Sequence, residues 1–154
     1  MGCRIVMVYT RTYTREDLKR ALAVSKQVHS GQLYGDKDYF TEHIRGVVKN
    51  LHDIASPEIV LIIGALHDVY EDTDITREQI IHDFGEDIDD YIWVLTRQKD
   101  EQYFDYIRRV KNNWIARTVK IADVEFNLKA SALSGDKSRQ DRYEKALLIL
   151  MGYD

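Results

Sequence analysis

The sequence predicts an all-α fold, a single helical bundle. Three observations carry that expectation. Apolar residues recur at helical spacing through most of the chain, one proline (Pro57) interrupts 154 residues, and several segments open on helix-start signals. The first dozen residues, with β-branched and aromatic runs, read instead as a short extended segment. Residues 1–13 are therefore expected to form an N-terminal extension and 14–154 the domain.

Thr14 supplies an N-cap for the first helix, whose run "TREDLKRALAVSKQVH" places Leu18, Leu22, Ser25 and His29 on one face. The Gly-rich stretch 31–39 reads as a loop, and a second helix follows from about Phe40 to His52. Ser56-Pro57-Glu58 is a compact start signal: a cap, a proline at the first helical position and an acid facing the helix dipole. The helix it opens, "EIVLIIGALHDVYED", is apolar nearly all round through its middle and belongs at the centre. Thr76 with Gln79 forms a capping box for a short helix that Gly85 ends. Further helices fit 86–96, roughly 101–126 and 137–151. The acidic stretch 85–91 reads as a solvated helix face.

Composition narrows the function. Hydrophobic residues at 44% and charged residues at 31% describe a soluble globular chain, not a disordered one. A net charge of −4 argues against nucleic-acid binding, while leaving room for a small anion held by a few local cations. The basic and aromatic tract "RRVKNNWIARTVK" does not reverse this, because helical spacing is expected to bury its Trp and Ile. No apolar run is long enough to span a bilayer, and the lone Cys3 suits a reducing compartment. The expectation is a cytoplasmic protein with a small-molecule partner, no membrane and no nucleic acid; self-association is left open.

Chemistry concentrates in "ALHDVYEDT". His67 and Glu71 are four residues apart, as are Asp68 and Asp72, so each pair shares a helical face. His43 lies on the preceding helix, and Asp123 on another apolar helix, with Asn127 one turn on. Two imidazoles and two carboxylates from three helices make a mixed N/O site for a divalent metal such as Mn, Fe, Co, Ni or Zn. Four protein ligands on an octahedral ion leave positions for water and a phosphate oxygen, the requirement of metal-assisted hydrolysis. Glu71, adjacent and not needed as a ligand, is placed to take the proton from that water. His29 reads as a packing or supporting residue, and His52 and His82 as surface residues.

With those residues in place, the order His43 … His67-Asp68 … Asp123 resembles the H…HD…D signature of the HD phosphohydrolase superfamily. The segments "HSGQLYGDKDYFTEH", "ALHDVYEDTDITREQIIHDFG", "VLTR" and "VKIADVEFNL" are similar to the RelA/SpoT-type hydrolase domain and to Mesh-type small alarmone hydrolases. The resemblance implies an HD-domain helical bundle in which His43, His67, Asp68 and Asp123 bind a metal, usually Mn2+. It implies that Glu71 and Asp72 orient and activate the attacking water. It further implies that Asn127 contacts the nucleotide and that Arg139 and Tyr143 reach the substrate. The reaction implied is removal of the 3′-pyrophosphate from guanosine tetra- or pentaphosphate.

The chain departs from that pattern in one region. After "HSGQ" such hydrolases carry an Arg-Lys or Asp-Lys stretch and then "PY..HP". Here Tyr34 and Gly35 occupy the region, Lys37 is displaced along the chain and is the remaining candidate substrate cation, and Asp38 or Tyr39 stands at the proline. Ile44 replaces the proline after the histidine, and Val124 a basic residue after Asp123. Two alternatives follow: hydrolysis of another phosphorylated nucleotide or NADPH, or a non-catalytic nucleotide-binding domain.

Overall fold

The computed structural model describes residues 11–154, so the extended segment expected at the start of the chain lies almost wholly outside the described residues. The helices run α1 (Arg15–Val28), α2 (Arg45–Asp53), α3 (Glu58–Leu66), α4 (Val69–Asp72), α5 (Arg77–Phe84), α6 (Glu86–Leu95), α7 (Tyr103–Lys111), α8 (Trp114–Ser134) and α9 (Lys137–Leu150). The fold is all-α as expected. Two-residue strands β1 (Leu33–Tyr34) and β2 (Lys37–Asp38) pair antiparallel between α1 and α2, with Leu33 opposite Asp38 and Tyr34 opposite Lys37. The loop expected at 31–39 is thus a hairpin, turned by Gly35 at φ +63°.

Capping decides where the helices begin. The Thr14 side chain accepts from the Asp17 amide and Asp17 answers from its carboxylate to the Thr14 amide, a reciprocal box. Thr76 and Gln79 repeat it at α5. Two expected boundaries move. Pro57, not Ser56, stands at the cap position of α3 and makes no side-chain cap bond. The long helix expected over 101–126 breaks at Asn112–Asn113, because the Asn113 side chain accepts from the Ala116 amide and starts α8 afresh. Trp114 consequently opens a helix and is 65% exposed, against its expected burial, whereas Ile115 is buried.

Helix α3 is the hub: every residue from Val60 to Leu66 is buried, and α1, α2, α6 and α8 pack around it. Gly64 lets α2 approach, since a Cβ there would press into Leu51. At Gly46 a Cβ would overlap the Phe126 ring, so α2 and α8 meet at a contact that admits no side chain. Asp89, expected on a solvated face, is buried instead: it accepts from Nε and one terminal guanidinium nitrogen of Arg77 and from the Tyr70 hydroxyl, tying α4, α5 and α6 together. No helix among the described residues is long and apolar enough to cross a membrane.

Candidate metal centre

The apolar helix α3 does not continue through its charged end. The chain turns at His67–Asp68, with Asp68 at φ −103°, ψ 1°, before α4 resumes. On one regular helix, adjacent side chains would diverge by about 100°. The turn lets both point to one place, a consequence that periodicity within a single helix cannot show. His43 arrives from a turn of π-helix over Phe40–Ile44 that leads into α2, and Asp123 from the middle of α8. Wider π turns recur at functional sites.

His43, His67, Asp68 and Asp123 each offer a donor atom, and these atoms all lie within 4.8 Å of one another. His43 Nε2 is 3.0 Å from Asp123 Oδ1 and 3.5 Å from Asp68 Oδ2. His67 Nε2 is 2.9 Å from Asp68 Oδ2 and 3.5 Å from Asp123 Oδ1. The histidine side chains are 2% exposed and that of Asp123 5%, so bulk water does little to screen the charges.

The electrostatics follow from that crowding. Burial works against charge on both imidazoles, yet the neighbouring carboxylates outweigh it and raise the pKa of each. Burial likewise opposes ionisation of Asp68 and Asp123; His67 for the former and Lys120 for the latter hold them well below the usual carboxylate range. Lys120 Nζ sits 2.7 Å from Asp123 Oδ2, and Asn127 Nδ2 donates to Asp123 Oδ1 at 3.0 Å.

This donor set fits a divalent cation. His67 Nδ1 lies 2.7 Å from the Gly64 carbonyl, which can only accept, so Nδ1 carries a proton and Nε2 faces the cluster, where a bound metal would take the place of any proton on it. Although close to Asp68, that Nε2 makes no well-formed hydrogen bond, and neither does buried His43 Nδ1. Two inward imidazoles facing two carboxylates make an electron-rich, buried pocket, the environment an imidazole- and carboxylate-binding metal requires.

Around the cluster opens a cleft of about 380 Å³. Glu71, Asp72, Asn127, Arg139 and Tyr143 line it, so these expected site residues come together. Glu71 Oε1 accepts from the Arg97 amide. Glu71 and Asp72 are exposed as whole residues, but partial burial of the carboxyl raises Glu71 against that hydrogen bond. Burial, and then the charge of Asp68, raises Asp72. Lys37 does not join them: its ammonium is 3.4 Å from Glu42, and it lines a neighbouring pocket, not the cleft. His29 is buried with Nδ1 2.8 Å from Gln32 Oε1, while the side chains of His52 and His82 are 72% and 87% exposed. A wider groove of about 720 Å³ between α1 and α5 holds no such cluster among the described residues, so size alone does not identify the site.

Several cleft residues have no counterpart in the sequence reading. Lys120 is the buried counter-charge of Asp123, and its spacing of three before the aspartate was the available signal. Arg97 and Arg142 join Arg139 at the rim; Arg97 and Arg142 lie over the Tyr103 ring, and Arg139 and Arg142 over Tyr143. Among the described residues, no carboxylate stands within ion-pair distance of these three guanidinium groups. Three cations supported on aromatic faces opposite an acidic floor suit an anion that spans the cleft.

No family model matches the chain. A guanosine-3′,5′-bis(diphosphate) 3′-pyrophosphohydrolase of Borreliella burgdorferi is 27% identical over 151 residues, covering 91% of this chain and 22% of that protein. A probable enzyme of the same name from Synechocystis is 29% identical over 133 residues, covering 79% of this chain and 18% of that one. The chain thus spans about a fifth of the length of these relatives. The solved structure of a metazoan ortholog of SpoT that hydrolyses ppGpp superposes with a TM-score of 0.74 at 25% identity, covering 94% of this chain and 90% of that one. The resemblance to the helical RelA/SpoT-type hydrolase domain therefore holds in sequence and in fold.

Proposed function

We propose that this chain is a metal-dependent phosphohydrolase that removes the 3′-pyrophosphate from guanosine 3′,5′-bis(diphosphate), ppGpp, with residues 14–154 as the hydrolase unit. The observation that carries this is one cleft lined by three members of the four-donor cluster, His43, Asp68 and Asp123, with a carboxylate pair at its edge and a cationic rim, on a fold that superposes on that of a SpoT-type hydrolase.

His43, His67, Asp68 and Asp123 would hold the divalent ion, with Mn2+ the proposed metal. When bound, it supplies a Lewis acid for the phosphoryl group and lowers the pKa of water. The remaining roles belong to the chain. Glu71 has one carboxylate oxygen fixed by the Arg97 amide, which leaves the other to accept the proton of the attacking water. Asp72, beside it, orients that water. Asn127, Arg139 and Tyr143 contact the nucleotide, and the guanidinium groups of Arg97 and Arg142 extend the grip on its phosphates. The aromatic faces of Tyr103 and Tyr143 hold those cations in place before substrate arrives. The partner is a small nucleotide met in the cytoplasm.

Purified protein with Mn2+ should release pyrophosphate from ppGpp, and Asp68→Ala or Asp123→Ala should lower the rate by a hundredfold or more. Absence of release with every divalent metal tried would remove the assignment. The altered hairpin favours a second reading. Tyr34 and Gly35 stand where an Arg-Lys or Asp-Lys stretch is usual, and Lys37 pairs with Glu42 and does not line the cleft, so the cleft's cations come from other elements. Hydrolysis of another phosphorylated nucleotide or NADPH fits that redistribution, and phosphate release across a substrate panel separates the two. Nucleotide binding without turnover would instead select the non-catalytic alternative, which gives Glu71 and Asp72 no task.

A further inference from the structure

The hairpin region that lacks the usual Arg-Lys or Asp-Lys stretch carries two tyrosines, and both reach the four-donor cluster. Tyr39 Oη donates to Asp68 Oδ2 at 2.5 Å and lies 3.4 Å from Asp72 Oδ2. Tyr34 lies flat on His43, ring centroids 5.1 Å apart at 14°, and its hydroxyl donates to Asn127 Oδ1 at 2.7 Å. Asn127 passes the contact on, donating from Nδ2 to Asp123 Oδ1 at 3.0 Å. Phe126 closes His43 from another side, edge-on with centroids 5.2 Å apart.

The base of the hairpin is itself anchored. The Tyr39 amide donates to the Gln32 carbonyl at 2.9 Å, and Gln32 Nε2 donates to the Asp72 carbonyl at 2.6 Å. The two phenols are therefore fixed relative to α4 and are not carried on a free loop. With His67 oriented by the Gly64 carbonyl, each of the four ligands then has a partner that sets its direction.

We propose that Tyr34 and Tyr39 are positioning residues that preorganise the metal ligands, Tyr39 acting on Asp68 and Tyr34 acting on His43 and, through Asn127, on Asp123. This rests on the reading of the four-donor cluster as a metal site. The physical advantage of a phenol is that it is a neutral donor. A guanidinium or ammonium bonded to Asp68 would neutralise the carboxylate and compete with the ion. A phenol instead fixes its direction and leaves the negative charge available. The hairpin thus trades direct grip on substrate phosphates for control of the ligands, while Arg97, Arg139 and Arg142 supply the cations that line the cleft.

Tyr39→Phe and Tyr34→Phe keep the rings and delete the hydroxyls. The full chain, stripped by chelator and titrated with Mn2+ by calorimetry, should show an affinity about 10–100-fold lower for Tyr39→Phe, the range seen when supporting partners of metal ligands are lost. For Tyr34→Phe, which acts through Asn127, a smaller loss of severalfold is expected. Circular dichroism of the stripped proteins should be unchanged. Activity lost by Tyr39→Phe at limiting Mn2+ should return at saturating Mn2+ with KM for the nucleotide unaltered, a recovery that general loosening of the fold would not give. Wild-type affinity in Tyr39→Phe overturns the inference. A wild-type chain that binds no divalent ion overturns the metal reading itself, so the two failures are told apart by the wild-type arm.

Discussion

Alanine at position 46 sets two opposed effects against each other. Gly46 lies near the start of α2, where exchanging glycine for alanine in a helix contributes about 1 kcal/mol of stability by propensity alone. Here the added methyl would overlap the Phe126 ring on α8. That ring cannot swing aside freely, because it stands edge-on to His43 and to Tyr34, with centroids 5.2 and 5.7 Å away. Overpacking of this kind costs about 1–3 kcal/mol. The sum is a net loss between about 0 and 2 kcal/mol, or a fall of a few degrees in Tm at about 2–4 °C per kcal/mol for a chain of this size. Because the displaced ring borders His43, Mn2+ affinity should fall as well. Thermal unfolding by circular dichroism and a Mn2+ titration measure both effects. A Tm raised by several degrees with unchanged metal affinity would refute the close α2–α8 contact as a determinant of the site.

Two further outcomes are expected. The Asp17 carboxyl, hydrogen-bonded first by Arg20 and then by the Thr14 amide, is lowered to about 2. Its folded-state pKa lies below its unfolded value near 4, so its contribution is present above about pH 4 and lost as pH falls toward 2. Allowing for the partly exposed Arg11 and Arg20 heads, Asp17→Ala should cost about 1–2 kcal/mol at pH 6 and flatten the acid limb in urea unfolding. A wild-type acid limb in that variant would count against the capping box. Lys120→Met removes the buried counter-charge of Asp123 and should destabilise the metal-free protein by about 3–5 kcal/mol. Added Mn2+ should restore much of this, because a cation in the cluster answers the same carboxylate; a loss indifferent to metal would contradict it.

Sequence periodicity was a good guide wherever a single helix explains itself. The caps at Thr14 and Thr76 and the buried run of α3 appear where the residues require them. It was a poor guide at breaks made by one side chain. Asn113 starts a helix inside a pattern that reads as continuous, and the turn at His67–Asp68 interrupts a run whose spacing suits an unbroken helix. The site shows the same division. His43, His67, Asp68 and Asp123 were legible because their types and order are unusual, and they do converge. Tyr34, Tyr39, Lys120, Arg97 and Arg142 were not, since a tyrosine or arginine in a helical protein has many ordinary uses. What distinguishes them is a neighbour far along the chain, such as Asn127 for Tyr34. Lys37 shows the converse: a cation in roughly the right stretch of sequence that the hairpin holds against Glu42 instead.

The central claim, that this cluster holds a metal used to hydrolyse a nucleotide, is tested most directly on one preparation. The chain is stripped of metal, Mn2+ is added back in steps, and pyrophosphate released from ppGpp is followed beside the bound metal content. The account predicts no release from stripped protein, and activity that rises with Mn2+ and saturates as one ion binds per chain. It predicts neither binding nor activity in Asp123→Ala. Release that is independent of added metal, or one tightly bound ion with no turnover of ppGpp or any other phosphorylated nucleotide, would contradict it.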